Sequence, residues 1–207
     1  MIYIKNGVII VMGKIKMVFA SANAGKIEEM KLLINKYLNN YEIELLGLKD
    51  VGFTGEIIED GASFEANAEI KARAVYEHTG LICFADDSGL CVDYLNGGPG
   101  ILTARYGGMD KLLHELKDVP DGKRSAHFYC AVYCVVSGSE SFCVTGRCDG
   151  VITREKIGEG GFGYDPVFYY EPAGKTFAEL DSGEKNKISH RARALELFAG
   201  EIVKYIY

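Results

Sequence analysis

Leu81-Ile82-Cys83-Phe84-Ala85-Asp86-Asp87-Ser88-Gly89 opens on five uncharged residues and then turns acidic and small. The apolar run predicts a buried strand over 81–85, ended by the acidic run. Just upstream, Ser63 stands as the N-cap of a helix expected to reach about His78. Ala68, Ala72 and Val75 line its inner face, and Gly80 fits its stop. Further back, residues 16–20 read as a second buried strand, broken by small and polar residues 21–25. Ile27, Met30, Ile34 and Tyr37 then recur at helical spacing. Residues 43–46 make another candidate strand, and 50–61, with Gly52, Gly55 and Gly61, a loop. Downstream, 91–95 predicts a strand before the turn 96–100, and 109–117 a helix. Residues 126–136 and 141–152, split by Ser137-Gly138-Ser139, predict a hairpin. A glycine-rich loop (158–166) and a short strand (167–170) follow. A closing helix starts near Glu184, with Ile188, Leu195, Phe198, Ile202 and Ile206 on one stripe. Strands and helices alternate first and hairpins dominate later, which predicts an α/β fold around a mixed sheet.

The chain has 207 residues, 48% hydrophobic and 25% charged, with a net charge of −6. That length favours one domain, with room for two lobes and a substantial core. The acidic balance argues against binding along a nucleic-acid backbone. A small anion stays within reach, because a few local cations can hold it against the overall charge. Cys83, Cys91, Cys130, Cys134, Cys143 and Cys148 form no Cys-x-x-Cys pair, and most sit in apolar runs. They read as buried free thiols of a reducing cytosol, so a cytoplasmic location is expected. His78, His114 and His127 lack zinc-ligand spacing. Residues 2–11 are apolar but too short to span a bilayer, and they lack a basic leader and a cleavage site. They form an extra strand or an upstream extension, with Met12 and Met17 as alternative starts. Residues 1–15 are therefore read as an extension, and 16–207 as one domain.

Four segments can carry chemistry. Ser21-Ala22-Asn23-Ala24-Gly25-Lys26 joins a strand to a helix. Small residues there let backbone N–H groups approach an anion, and Lys26 adds a full charge to the helix terminus. It is not a Walker A loop, and a plain turn with a solvated lysine is the alternative. Asp86 and Asp87 follow a strand, where α/β sheets place ligands, and Glu56, Glu59 and Asp60 lie in the preceding loop. Hard oxygen donors suit Mg²⁺, which takes one or two carboxylates and shares substrate phosphates; exposed turn-forming acids are the alternative. In the third segment, residues 158–166, Phe162 and Tyr164 offer faces to a planar base, and Asp165 an acceptor. A bare glycine-rich hairpin loop would look similar. Lys185 to Arg191 put cations at the start of the closing helix, against its macrodipole, which calls for a functional reason or a solvated basic face.

In order along the chain stand Ser21-x-Asn23-x-x-Lys26-x-x-Glu29, Glu59-Asp60-Gly61-x-Ser63-Phe64-x-x-Asn67-Ala68-x-x-Lys71-Ala72 and Ala85-Asp86-Asp87-Ser88-Gly89-Leu90. Gly97-Gly98-Pro99-Gly100, Thr103-Ala104-Arg105-Tyr106, Gly161-Phe162-Gly163-Tyr164-Asp165-Pro166 and Glu184-Lys185-Asn186-Lys187-Ile188-Ser189-His190-Arg191 complete the set. Together they resemble the inosine/xanthosine triphosphate pyrophosphatases, the Ham1-like family of non-canonical purine NTP pyrophosphatases. The resemblance runs from about Lys16 to the end. Residues 1–12 have no counterpart, one residue common between the paired glycines and Pro-Gly is missing, and Thr103 stands where Ser is usual.

The resemblance implies an elongated, two-lobed α/β fold around a curved mixed sheet, with a central cleft and a homodimeric assembly. It implies Mg²⁺-dependent hydrolysis of the α–β phosphate bond of ITP, dITP and XTP, giving a monophosphate and pyrophosphate. The phosphates would lie on Ser21, Ala22, Asn23, Ala24, Gly25 and Lys26. Asp87 would serve as general base and, with Glu56, as metal ligand, while Asp86 orients water or metal. Lys185 and Ser88 would sit near the phosphates. Phe162 would stack the base in a pocket shared with Gly163 and Tyr164, Asp165 would accept from a ring N–H, and His190 and Arg191 would donate to the 6-oxo group. A pyrophosphatase for modified pyrimidines and a non-catalytic nucleotide-binding regulator are the rival expectations. His190-Arg191 speaks against the first, and the intact acids against the second.

Overall fold

The computed structural model describes residues 14–206 and the backbone of 2–5 and 8–11. Met12, one of the candidate starts, lies outside the described residues. Strands β1 (Ile2–Lys5) and β2 (Val8–Val11) pair antiparallel with each other as a separate two-stranded sheet. The chain then enters β3 (Ile15–Phe19), α1 (Ala24–Tyr37), β4 (Ile43–Leu46), α2 (Phe64–Thr79) and β5 (Ile82–Val92). After α3 (Gly108–Glu115) come β6 (Ser125–Val135), β7 (Ser141–Ile152), β8 (Phe168–Tyr170) and β9 (Lys175–Thr176). Two helices close it, α4 (Ser182–Ile188) and α5 (His190–Ile202). Ile15 already pairs with Ile43, so the main sheet begins one residue before the expected boundary of the domain.

Among the described residues the main sheet has seven strands in the order β4-β3-β5-β6-β7-β8-β9. β3 runs parallel to β4 and β5, and every later pairing is antiparallel. The sheet is mixed, as expected. The period-2 alternation of β3 and β5 sends their side chains to two cores. Met17, Phe19 and Phe84 pack with α1 and α5 through Met30, Leu33, Phe198 and Ile202. Val18, Ala20, Cys83 and Ala85 pack with α2 through Ala72 and Val75. A third cluster, with Leu90, Leu112, Phe128, Phe168 and Phe177, fills the far half of the sheet.

Two expectations are corrected. β5 is one strand from Ile82 to Val92, not two strands around an acidic break, so Asp86 and Asp87 lie mid-strand. β5 outlasts its parallel neighbour: β3 pairs only as far as Phe84, while β6 accompanies β5 to Val92. Gly89 is no breaker. A Cβ there would stand 2.5 Å from Thr103 Oγ1 and 2.9 Å from the Phe64 ring, so glycine admits a close approach of the 100–105 turn. The closing helix is also two helices. Ser189, with ψ 155°, leaves α4 and caps α5 by accepting the Ala192 N–H at 3.1 Å. Of the six free cysteines five are buried, while Cys143 is exposed. No helix among the described residues is long and apolar enough to cross a membrane.

Candidate active site

A cleft of about 890 Å³ opens where β3 ends and β5 runs on. Its first wall is the β3–α1 loop. Asn23 is the N-cap of α1, its Oδ1 accepting the Lys26 N–H at 3.1 Å, and Ser21 Oγ accepts the Asn23 N–H at 3.2 Å. These bonds fix the loop so that the first-turn amides of Ala24 and Gly25 stand at the positive end of a 14-residue helix. That is the geometry of an anion cradle.

Strand alternation separates the two aspartates. Asp86 points to the α1–α5 side, where Lys26 Nζ lies at 3.1 Å and Arg191 Nη2 at 3.1 Å. Ser88 Oγ donates to the same carboxylate at 3.1 Å. Arg191 Nη1 reaches across to Glu29, whose carboxylate also meets Ser189 Oγ. Burial opposes ionisation of Asp86, but Lys26, Arg191 and Lys71 outweigh it and hold the carboxyl well below the usual range. The macrodipole conflict expected at the start of α5 is thereby answered: Arg191, 1% exposed, is matched by Glu29 and Asp86.

Asp87 points the other way, to α2. Lys71 Nζ donates to its Oδ1 at 3.2 Å, and Asn67 Nδ2 to its Oδ2 at 3.2 Å. Lys71 also holds Glu59 at 2.7 Å. Burial pushes the Asp87 carboxyl up, and the cations nearby do not fully offset it. A raised carboxylate with cleft access suits proton transfer. The acid loop contributes Glu59 to this cluster; Glu56 lines the same cleft.

The opposite wall is the 158–166 loop. Phe162 is 36% exposed and lies against Gly25, where a Cβ would stand 3.2 Å from its ring. Tyr164 is buried in the third core, its hydroxyl donating to the Thr103 carbonyl at 3.3 Å, so Phe162 alone of the pair keeps an open face. Lys185 Nζ donates to Asp165 Oδ2 at 2.7 Å and sits 4.7 Å from the centre of the Phe162 ring. It thus belongs to this wall and not to the acids. Asp165 Oδ2 also accepts the Phe162 N–H at 2.8 Å. His190 stacks on Phe128 at 4.7 Å, and its Nδ1 is buried with no partner among the described residues.

All the residues expected at a site except Ala24 and Gly25 line this one cleft, and those two adjoin it. Arg191, expected to donate to a ligand, lines the cleft, and its guanidinium also donates to Asp86, Glu29 and Ser88. Ser88 Oγ is engaged by Asp86 and Arg191. Sequence reasoning gave no role to Glu29, Asn67 or Lys71. The signal was present for the last two, which sit four residues apart beside the apolar Ala68–Ala72 stripe of α2.

His190 supplies a pH test. Burial first, then Arg191 and Lys185, hold its pKa well below the ordinary value. A depressed histidine favours the folded state above its unfolded pKa, and that contribution is lost as pH falls toward the folded pKa. Urea titrations should therefore show stability declining below about pH 6.5. His190→Gln should flatten that decline, with a residue left from His127, also lowered by burial. An unchanged slope in the variant would rule out His190 as its source.

Fold and cleft together define an α/β protein in which a capped helix N-terminus and a divided acid pair face one cleft. The chain belongs to the Ham1 family, whose model matches residues 17–201. A protein of Bacillus licheniformis called dITP/XTP pyrophosphatase is 47% identical over 189 residues, 87% of this chain and 94% of that one. One of Treponema denticola with the same name is 44% identical over 191 residues, again 87% and 94%. The solved HAM1 protein of Coxiella burnetii matches with TM-score 0.81 and 37% identity over 92% of this chain and 99% of its own. The Staphylococcus aureus Ham1 protein matches with TM-score 0.79 and 34% identity over 91% and 98%.

Proposed function

We propose that this chain hydrolyses the non-canonical purine triphosphates dITP, ITP and XTP to monophosphate and pyrophosphate; its relatives bear the name dITP/XTP pyrophosphatase. The observation that carries it is the meeting, in one cleft, of an anion cradle, a partly open acid and an aromatic platform. Residues 16–207 form the catalytic unit with two lobes, working as a homodimer in the cytoplasm.

The triphosphate lies along Ser21–Lys26, with the base against Phe162. Asp87 takes the proton of the attacking water, and Lys26 balances phosphate charge. His190, kept neutral, offers an N–H to the 6-oxo group, where the amino group of adenine would present a donor to a donor. Asp165 completes the base pocket, held in place by Lys185.

The donor set fits a divalent cation. Lys71 already bridges Asp87 and Glu59, so two hard carboxylates converge where positive charge is favoured. Mg²⁺ takes one or two carboxylates and shares substrate phosphates, a demand that such a pair can meet. Asp87 and Glu59 would hold it, with Glu56 nearby on the cleft wall. When bound, it neutralises charge developing on the phosphates and acidifies the attacking water.

Pyrophosphate release in Mg²⁺ should be strong with dITP and XTP and weak with dATP and dCTP, which lack the 6-oxo group, while dGTP, itself a 6-oxopurine, reports on the 2-position instead. Equal release from all five would discard the 6-oxopurine pocket, and none from any would discard the enzyme.

A further inference from the structure

We infer that Asn67 is a positioning residue, whose single side-chain amide aims both the Asp87 carboxylate and the acid loop into the cleft. The inference rests on the function proposed above. Asn67 lies in the first turn of α2 and is 2% exposed. Ser63 caps that turn, accepting the Ala66 N–H at 3.2 Å, and so sets where the asparagine points. Its Oδ1 accepts the Gly61 N–H at 2.8 Å, and its Nδ2 donates to Asp87 Oδ2 at 3.2 Å.

The two bonds admit one orientation of the amide. Flipped, Nδ2 would face the Gly61 N–H and Oδ1 would face a carboxylate oxygen, and both contacts repel. The orientation then propagates. With Lys71 on Oδ1 and Asn67 on Oδ2, each oxygen of Asp87 has one fixed donor and the plane of the carboxylate is set. On the other side the amide anchors Gly61, two residues after Glu59. The approach is so close that a Cβ at position 61 would stand 2.7 Å from Asn67 Oδ1. One side chain thus holds in register two acids that reach the cleft from different elements. Reaction rates fall steeply when catalytic groups are misplaced by about an ångström.

Two variants separate this role from plain structural support. Asn67→Asp keeps the acceptor for Gly61 and loses the donor to Asp87; Asn67→Ala loses both. In mildly alkaline buffer N67D sets a second carboxylate against Asp87 and should lose melting temperature, and its kcat on dITP should fall at least as far as that of N67A. The expected loss is about 10- to 100-fold, the scale of one hydrogen bond to a charged group. KM, and binding of the α,β-imido analogue of dITP, should stay within about threefold of wild type, since Asn67 acts through Asp87 and not on the nucleotide. An N67D enzyme with wild-type kcat overturns the role. So does a joint movement of kcat, KM and melting temperature in both variants, which is the mark of support alone. A wild type that releases no pyrophosphate overturns the proposed function and this role with it, whereas an active wild type with unaffected variants overturns the role alone.

Discussion

Asp87→Asn lowers kcat by at least about a hundredfold, the usual contribution of a positioned base, and leaves a folded protein. The amide cannot take a proton from water, but it has nearly the shape of the acid it replaces. Folding survives because burial already disfavours the Asp87 charge and because Lys71 keeps Glu59 as its counter-charge. The Asn side chain has one oxygen for two donors, Lys71 and Asn67, so a modest loss of melting temperature accompanies the change. Pyrophosphate release and a thermal melt on the same preparation check both halves. Full activity in this variant would mean that the base is another group.

Arg191→Met does the opposite, striking the fold hardest. Its guanidinium joins Glu29, Asp86 and Ser88 at the boundary of α1, β5 and α5, and the residue is 1% exposed. Methionine fills much of the volume but strands two buried carboxylates. Removing one member of such a network costs about 3–5 kcal/mol. Lys26 still neutralises part of Asp86, which places the expected value toward the lower end. Urea denaturation measures it, and a loss under about 1 kcal/mol would show that the acids find other partners. Adding Glu29→Gln should restore part of the loss, because one of the stranded charges is then gone. Asp86, held far below the usual carboxylate range, adds stability above that range and withdraws it as the pH falls.

Much of the fold was legible because it rests on local patterns. The cap Ser63, the stop at Gly80, with φ 65°, and the hairpin expected over 126–152 follow from turn chemistry and period-2 alternation. The acids were harder. In sequence, Asp86-Asp87-Ser88-Gly89 looks like the end of a strand, since a strand interior rarely carries two charges. It continues because Lys26, Lys71 and Arg191 supply the counter-charges from three distant segments, and nothing local announces them. Neighbours on a strand face opposite ways, so the two acids meet different cations although both line one cleft. Glu56 and Glu59, like Phe162 and Tyr164, reach the cleft through loop geometry that glycine-rich segments do not encode.

The arginine that steadies Asp86 and Glu29 lies 105 and 162 residues beyond them. A ribosome releases the chain in the other order, so a nascent chain carries both acids, and the whole α1–β5 half of the sheet, long before Arg191 appears. Until α5 arrives, that half-sheet has charges on a surface destined to be interior and lacks the helix that covers Phe84. The early strands can pair as they emerge, but the cleft acquires its electrostatic frame only after residue 191 has followed them, which makes α5 the element that times the maturation of the site.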